Sequence, residues 1–146
     1  MLKWLADTAV AGALIAALFT PVADVSIDEI IYEQSPFATV SVEAYTVGAD
    51  YLLEPTAFEI FPGENCAEFL VRALDASEIE YTYSGAVDEG FYLQSIDGYG
   101  EFTHGPRSGW LYFLNDEMPS YGMTDIFLDE GDWIRLVYTL SWGDDI

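Results

Sequence analysis

Basic residues are scarce in this sequence, and their scarcity excludes two classes of partner. The 146 residues include 4 Lys and Arg against 26 Asp and Glu, which gives a formal net charge of −22 at pH 7. A surface this negative repels the phosphates of nucleic acids and the head groups of anionic lipids. We therefore predict no nucleic-acid partner, and membrane contact only through an apolar N-terminal segment.

Cysteine and histidine are nearly absent, which argues against several kinds of site. The single cysteine, Cys66, excludes an intramolecular disulfide, and with the single His104 it is a poor basis for a structural zinc site. Cys66 lies in a helical pattern, and His104 lies in a Gly/Pro loop without a neighbouring nucleophile. The sequence has no Ser/His/Asp set, phosphate-binding glycine loop or metal triad, so we predict that the chain is not an enzyme. A small hydrolase would need a deep polar cleft that holds His104 beside a carboxylate.

The N-terminal region contains an apolar run from Ala9 to Phe19, preceded by Lys3. The run is shorter than the roughly 20 residues of a membrane-spanning helix. It fits the hydrophobic part of a secretory signal that is cleaved after Ala23, so we predict a secreted or cell-surface protein. Two alternatives stay open: a retained anchor of a filament subunit, and an amphipathic or buried helix of the folded protein.

The rest of the chain has the composition of one folded domain. The sequence is 51% hydrophobic and 16% aromatic, which excludes a disordered acidic tail. We divide it into a signal peptide or retained apolar segment over residues 1–23, a lead-in over 24–36, and a folded domain over 37–146.

The folded part begins with a strand pattern. Residues 37–47 alternate with period two, and a bend with Gly48 and Pro55 leads into a second strand over 57–61. This order predicts an antiparallel hairpin.

A helix is predicted over about residues 65–76. Asn65 is a suitable N-cap, and Glu68 complements the dipole of the first turn. Apolar residues recur at helical spacing and should pack on a sheet. They are Cys66, Phe69, Leu70, Ala73 and Leu74.

Further strands follow the helix, over residues 80–83, 91–96 and 133–140 and in the segment from Trp110 to Leu114. The last segment is apolar on both faces, which predicts a central position in the sheet. Two strands, one helix and more strands describe an α+β, β-grasp-like fold, with a mostly antiparallel or mixed sheet packed on one helix. The last strand is expected to pair with the first in the middle of the sheet.

Three segments carry a resemblance to a known family. They are "SGWLYFLN" at 108–115, "LDEGDWIRLVYT" at 128–139 and the tail "LSWGDDI" at 140–146. The set resembles the transcobalamin-like C-terminal domain family of bacterial surface proteins, which is similar to the β domain of transcobalamin and intrinsic factor. Over residues 37–146 the resemblance implies a β-grasp-like fold, export, and a ligand surface on one module of a larger chain.

The resemblance also raises the question of cobalamin. In the vitamin B12 carriers, the β domain closes one side of the corrin and an α/α barrel closes the other. The folded part of this sequence has one convincing helix and no barrel, so burial of a corrin between two domains is not expected. Cobalamin binding is implied by the resemblance alone, and we otherwise expect no cofactor.

Several aromatic and polar residues are candidates for a ligand-binding surface, because rings supply flat area that stacks on other rings or on sugars. They are Trp110, Tyr112, Asn115, Tyr121 and Trp133. For Trp110 the favoured alternative is a core position in its strand.

Acidic residues near the C-terminus could form a weak Ca²⁺ site, with Asp129, Glu130 and Asp132 as ligands and Asp125 close in sequence. Their spacing does not match an EF-hand loop. The favoured alternative is a hairpin turn with Gly131 at positive φ and the carboxylates directed outward.

The leading prediction is therefore a non-catalytic, exported interaction or ligand-binding module. Its partner would be a protein, a glycan or a small molecule. The alternative is a structural subunit of a surface assembly that self-associates through the N-terminal apolar segment.

Overall fold

The computed structural model describes residues 35–146 of the chain. The predicted signal or anchor over residues 1–23 and most of the lead-in lie outside the described residues. Residues 35–146 form seven strands and one α-helix: β1 (Phe37–Glu43), β2 (Tyr51–Glu59), α1 (Cys66–Ala76), β3 (Tyr81–Ala86), β4 (Glu89–Ile96), β5 (Tyr99–Gly100), β6 (Gly109–Leu114) and β7 (Trp133–Thr139). Within this range, no helix has the length and apolar character needed to cross a membrane.

The strands form two sheets. The first has the order β2-β1-β7-β6, in which β1 is antiparallel to β2 and parallel to β7, and β7 is antiparallel to β6. The second sheet has the antiparallel order β3-β4-β5. An α+β fold with a mixed sheet is confirmed, and so is the pairing of the last strand with the first in the middle of the sheet.

The predicted hairpin is confirmed, but its boundaries differ. Strand β1 ends at Glu43 because a 3-10 turn over Tyr45–Val47 follows and closes on Gly48 in the left-handed region. Strand β2 runs through Pro55, which an outer strand tolerates because proline there need not donate to a neighbour. The β1–β2 register shifts between Val40 and Val42, opposite Pro55.

The predicted central position of the Trp110–Leu114 strand is wrong, because β6 is an outer strand of the four-stranded sheet. Its two apolar faces are covered by other parts of the chain. Trp110 packs against the core on one face. On the other face, Gly143 of the C-terminal tail lies against Leu111, and the Arg135 guanidinium carbon lies 5.9 Å from the Phe113 ring centre.

Helix α1 begins at the predicted cap. The Asn65 side chain accepts a hydrogen bond from the Glu68 backbone N–H at 2.9 Å, and the Glu68 carboxylate accepts one from the Asn65 N–H at 2.9 Å. Asn65 Nδ2 also donates to the Val87 carbonyl at 2.9 Å, which ties the helix start to the β3–β4 turn. The predicted apolar stripe is buried in the core, where it packs with residues of β1 and β7.

We expect Asn65→Ala to lower the free energy of unfolding by about 1–2 kcal/mol, because both the cap and the bond to Val87 are lost. Asn65→Ser is the matched control, since it keeps an acceptor for the Glu68 N–H and loses only the amide donor. Urea unfolding should rank the chains wild type, Ser, Ala in order of decreasing stability. Equal stability of the Ala variant and the wild type would contradict this role.

Candidate functional site

An apolar groove of about 300 Å³ lies between β4 and β6. The lining of this β4–β6 groove consists of Phe91, Tyr92 and Leu93 of β4, Trp110, Leu111 and Tyr112 of β6, Met118, Pro119, Gly122 and Met123 of the loop after β6, and Leu136 of β7. None of these residues is charged. The groove can therefore receive an apolar group and offers a charged group no lining partner.

Trp110 is held in place from two sides. Its indole Nε1 donates to the Tyr99 carbonyl at 2.8 Å. Its ring packs on the buried Tyr138 ring, with 5.1 Å between the ring centres. Trp110 thus combines the two predicted roles, since it packs against the core and also lines the groove.

Tyr112 connects β6 to the loop after it. Its hydroxyl donates to the carbonyl of Tyr121, which fixes the loop beside the groove. Burial, and after it the electrostatic effect of the neighbouring Cys66 and Asp125, raises the pKa of Tyr112, so the phenol stays protonated at neutral pH. The Tyr121 side chain itself is 72% exposed.

Asn115 and Trp133 lie outside the groove lining. The Asn115 side chain accepts from the Trp133 backbone N–H at 2.9 Å and donates to the Asp132 carboxylate at 2.8 Å. The Trp133 indole donates to the Ser41 hydroxyl at 3.1 Å. Both side chains therefore fasten the end of β6 to the start of β7. Of the predicted ligand residues, the groove brings together Trp110 and Tyr112, with Tyr121 at its margin.

The acidic residues before β7 form a turn. Gly131 has a φ of +86°, and the Asp132 carboxylate accepts from the Asp129 N–H at 2.8 Å. Asp129 and Glu130 are exposed. Within residues 35–146, no three His, Cys, Asp or Glu side chains are grouped so that they could hold a metal ion.

Cys66 and His104 have structural surroundings. Cys66 is buried in the core, and burial raises the pKa of its thiol to about 12, so it is not a thiolate at neutral pH. His104 is exposed, and its Nδ1 lies 3.1 Å from the Thr103 hydroxyl and 3.2 Å from the Tyr138 hydroxyl. Among the described residues, no carboxylate hydrogen-bonds to this imidazole.

Sequence reasoning missed the wall formed by β4 and the loop residue Met118. The alternation of Phe91 and Leu93 with polar neighbours was a usable signal for one apolar strand face. Met118 lies in a loop and is 56% exposed. An apolar side chain exposed in this way is typical of a ligand-binding or protein-binding surface.

A larger hollow of about 690 Å³ lies between the end of α1 and β3. Its lining includes Asp75, Glu78 and Glu80, and it is wide and open to solvent. The β4–β6 groove is the better candidate, because small-molecule sites are mostly apolar and partly enclosed.

The groove lies within a region shared with other proteins. A family model described as "Domain of unknown function (DUF4430)" matches residues 63–139, from the start of α1 to the end of β7. The chain belongs to this family. The matched region of the DUF4430 chain contains both walls of the groove. No curated protein matches the chain.

Two solved structures are similar to the DUF4430 chain. Haptocorrin in complex with Cbi has a TM-score of 0.54 at 14% identity, over 73% of this chain and 26% of the haptocorrin chain. A Ruminococcus gnavus ATCC 29149 protein described as a candidate metal-binding protein has a TM-score of 0.46 at 15% identity, over 71% of this chain and 96% of its own. The chain thus spans about a quarter of the haptocorrin it matches. The transcobalamin-like resemblance predicted from residues 108–146 is confirmed.

Proposed function

We propose that the DUF4430 chain is a non-catalytic binding module of an exported or cell-surface protein, and that the β4–β6 groove holds an apolar group of its ligand. The observation that carries this proposal is the groove itself, which has an aromatic wall, a buried floor and no charged lining residue. A β-grasp-like description of the fold is part of the proposal. The parallel β1–β7 pair in the middle of the sheet and the single described helix packed against it support that description.

The aromatic wall is suited to binding because its polar atoms already have partners. The indole N–H of Trp110 and the hydroxyl of Tyr112 are both hydrogen-bonded within the protein. Phe91 is held from behind by the Tyr83 ring, at 4.9 Å between ring centres. The rings therefore offer apolar faces at fixed positions, and a ligand need not satisfy a polar group to cover them.

Export is proposed from the sequence. The apolar run from Ala9 to Phe19 fits the hydrophobic part of a secretory signal. A net charge of −22 keeps such a module soluble and free of nucleic acids.

Cobalamin-type binding is a second candidate, because the similar haptocorrin structure contains Cbi. The match covers 26% of the haptocorrin chain, so a complete enclosure like that of a whole carrier is not proposed. Contact with one face of a corrin at the groove is the form that this candidate takes.

We expect Met118→Arg to weaken groove binding by about tenfold, because a long charged side chain would enter an apolar site. The probe is N-phenyl-1-naphthylamine, a neutral two-ring fluorophore, titrated against the full chain. Phe102→Arg is the matched control: Phe102 is 61% exposed, lies outside the groove lining and undergoes the same change of charge.

Saturable binding by the wild type and Phe102→Arg, with loss in Met118→Arg, supports the proposal. Equal binding by all three chains, or no saturation, contradicts it. A parallel absorbance titration with cobinamide tests the second candidate, which fails if no spectral change appears.

A further inference from the structure

Strand β6 has a row of backbone groups on the side away from β7. The Asn115 N–H donates to the Trp133 carbonyl, whereas the Leu114 N–H donates to Glu117 on the opposite side. The β6–β7 register continues from this point without a shift. Because backbone groups alternate along an antiparallel strand, those of Trp110 and Tyr112 point away from β7. No strand among residues 35–146 pairs with them.

The two outer strands of the sheet differ in how their edges are protected. Strand β2 carries Pro55 and a register shift, which are common devices against edge pairing. Strand β6 has a regular register and contains neither proline nor a charged residue. The edge of β6 is therefore regular enough to pair with an additional strand.

The β4–β6 groove lies beside this edge. Its far wall is the Phe91–Leu93 stretch of β4, and β5 covers β4 only at Ser95 and Ile96. A segment extended along β6 would direct alternate side chains into the groove, because side chains of a strand alternate with period two. A segment in this position would hydrogen-bond to the backbone groups of Trp110 and Tyr112, and its alternate side chains would occupy the apolar groove.

Acidic side chains border the groove. The Glu101 carboxylate accepts a hydrogen bond from the Tyr92 hydroxyl at 2.6 Å, and Asp125 is close enough to raise the pKa of Tyr112. Glu117, which is exposed, directly precedes the lining residue Met118. The chain as a whole carries a net charge of −22. An occupant with basic side chains would complement this border.

We propose that the β6 edge pairs with an extended segment of a partner protein in which apolar and basic side chains alternate. The proposal rests on the proposed function, because the apolar side chains would occupy the same groove, and it names the class of ligand. Main-chain hydrogen bonds from Trp110 and Tyr112 would supply affinity, and the groove would select the alternate side chains.

The test uses the full chain and a capped synthetic peptide of sequence KVTVKVTK. Amide hydrogen exchange followed by NMR should slow by about tenfold or more at Trp110 and Tyr112 on peptide addition, because their N–H groups become bonded. The Leu111 amide faces β7 and should change little. Unchanged exchange at both edge amides under saturating peptide would overturn the proposal.

Two variants of Tyr112 separate the contribution of its backbone N–H to peptide binding from that of its side chain. Tyr112→Ala keeps the edge N–H, whereas Tyr112→Pro removes it without removing a bond to β7. We expect peptide affinity to be about tenfold lower for Pro than for Ala, the effect of one lost hydrogen bond. Equal affinity in the two variants counts against edge pairing, and the exchange measurement decides if Tyr112→Pro fails to fold.

Two further titrations distinguish this inference from the proposed function. Replacing the lysines of the peptide by glutamates should abolish binding, and the original peptide should displace N-phenyl-1-naphthylamine. If the fluorophore binds and the peptide does not, edge pairing fails and the groove function stands. If the fluorophore shows no saturable binding, the groove function fails.

Discussion

Tyr138→Ala is expected to lower the free energy of unfolding by about 4 kcal/mol, as other large buried aromatic truncations do. Tyr138 is fully buried and is the largest such side chain described. It stands on β7, yet its hydroxyl donates to the Gly100 carbonyl of β5 at 2.6 Å, so it links the two sheets. Its ring also supports Trp110 at 5.1 Å. Binding of N-phenyl-1-naphthylamine should therefore fall together with stability.

Tyr138→Phe is the matched control for this effect. It keeps the ring and removes one hydrogen bond to the Gly100 carbonyl, which still accepts from the Thr103 hydroxyl, so the change should cost about 1 kcal/mol. Urea unfolding gives both free energies, and a fluorophore titration under native conditions gives the effect on the groove. A loss in the Ala variant no larger than in the Phe variant would show that the ring contributes little.

Arg135→Ala is expected to destabilise the chain by about 3 kcal/mol, because it leaves the carboxylate of Glu43 buried without its counter-ion. Glu43 is 4% exposed, and the Arg135 guanidinium holds both of its oxygens at 2.9 Å. The hydrogen bond with Glu43 raises the pKa of Arg135, so the guanidinium stays charged at neutral pH. The pair joins the two central strands, β1 and β7.

Two further variants test the same pair. Asp116 also contacts Arg135, at 2.8 Å, but its side chain is 64% exposed, so Asp116→Ala should cost less than about 1 kcal/mol. The double variant Glu43→Met, Arg135→Met should recover much of the loss, since replacing both charges leaves no unpaired ion. Urea unfolding of the wild type, Glu43→Met, Arg135→Met and the double variant completes the double-mutant cycle. A double variant as unstable as Arg135→Ala would contradict the electrostatic explanation.

Local patterns predicted α1 correctly because its signals are local. Asn65, Glu68 and the apolar stripe all lie within three turns, so cap and buried face follow from spacing alone. The position of β6 could not be obtained in this way. One apolar face packs on the core, and the other is covered by the C-terminal tail and by Arg135. The sequence pattern does not distinguish such a cover from a second sheet layer.

The candidate groove was only half predictable for the same reason. Trp110 and Tyr112 stand out as aromatics on one strand face. Their opposite wall comes from β4, which belongs to another sheet and is separated by a turn and a loop. Bringing Phe91 and Met118 to the same groove is a long-range contact that no local period encodes. Asn115 and Trp133 were predicted to bind the ligand together with Trp110 and Tyr112. In the structure they instead connect the end of β6 to the start of β7.

Pro55 has a consequence for growth by strand addition. With the β2 side interrupted, the four-stranded sheet has a single acceptor edge. A molecule with one edge that can pair is able to join the end of a growing sheet, but it cannot extend the sheet. Extension requires a second edge on the same molecule to which the next molecule can pair. Two copies meeting through β6 would use both acceptor edges and close as a symmetric pair, so cross-β growth through this sheet would stop at that pair.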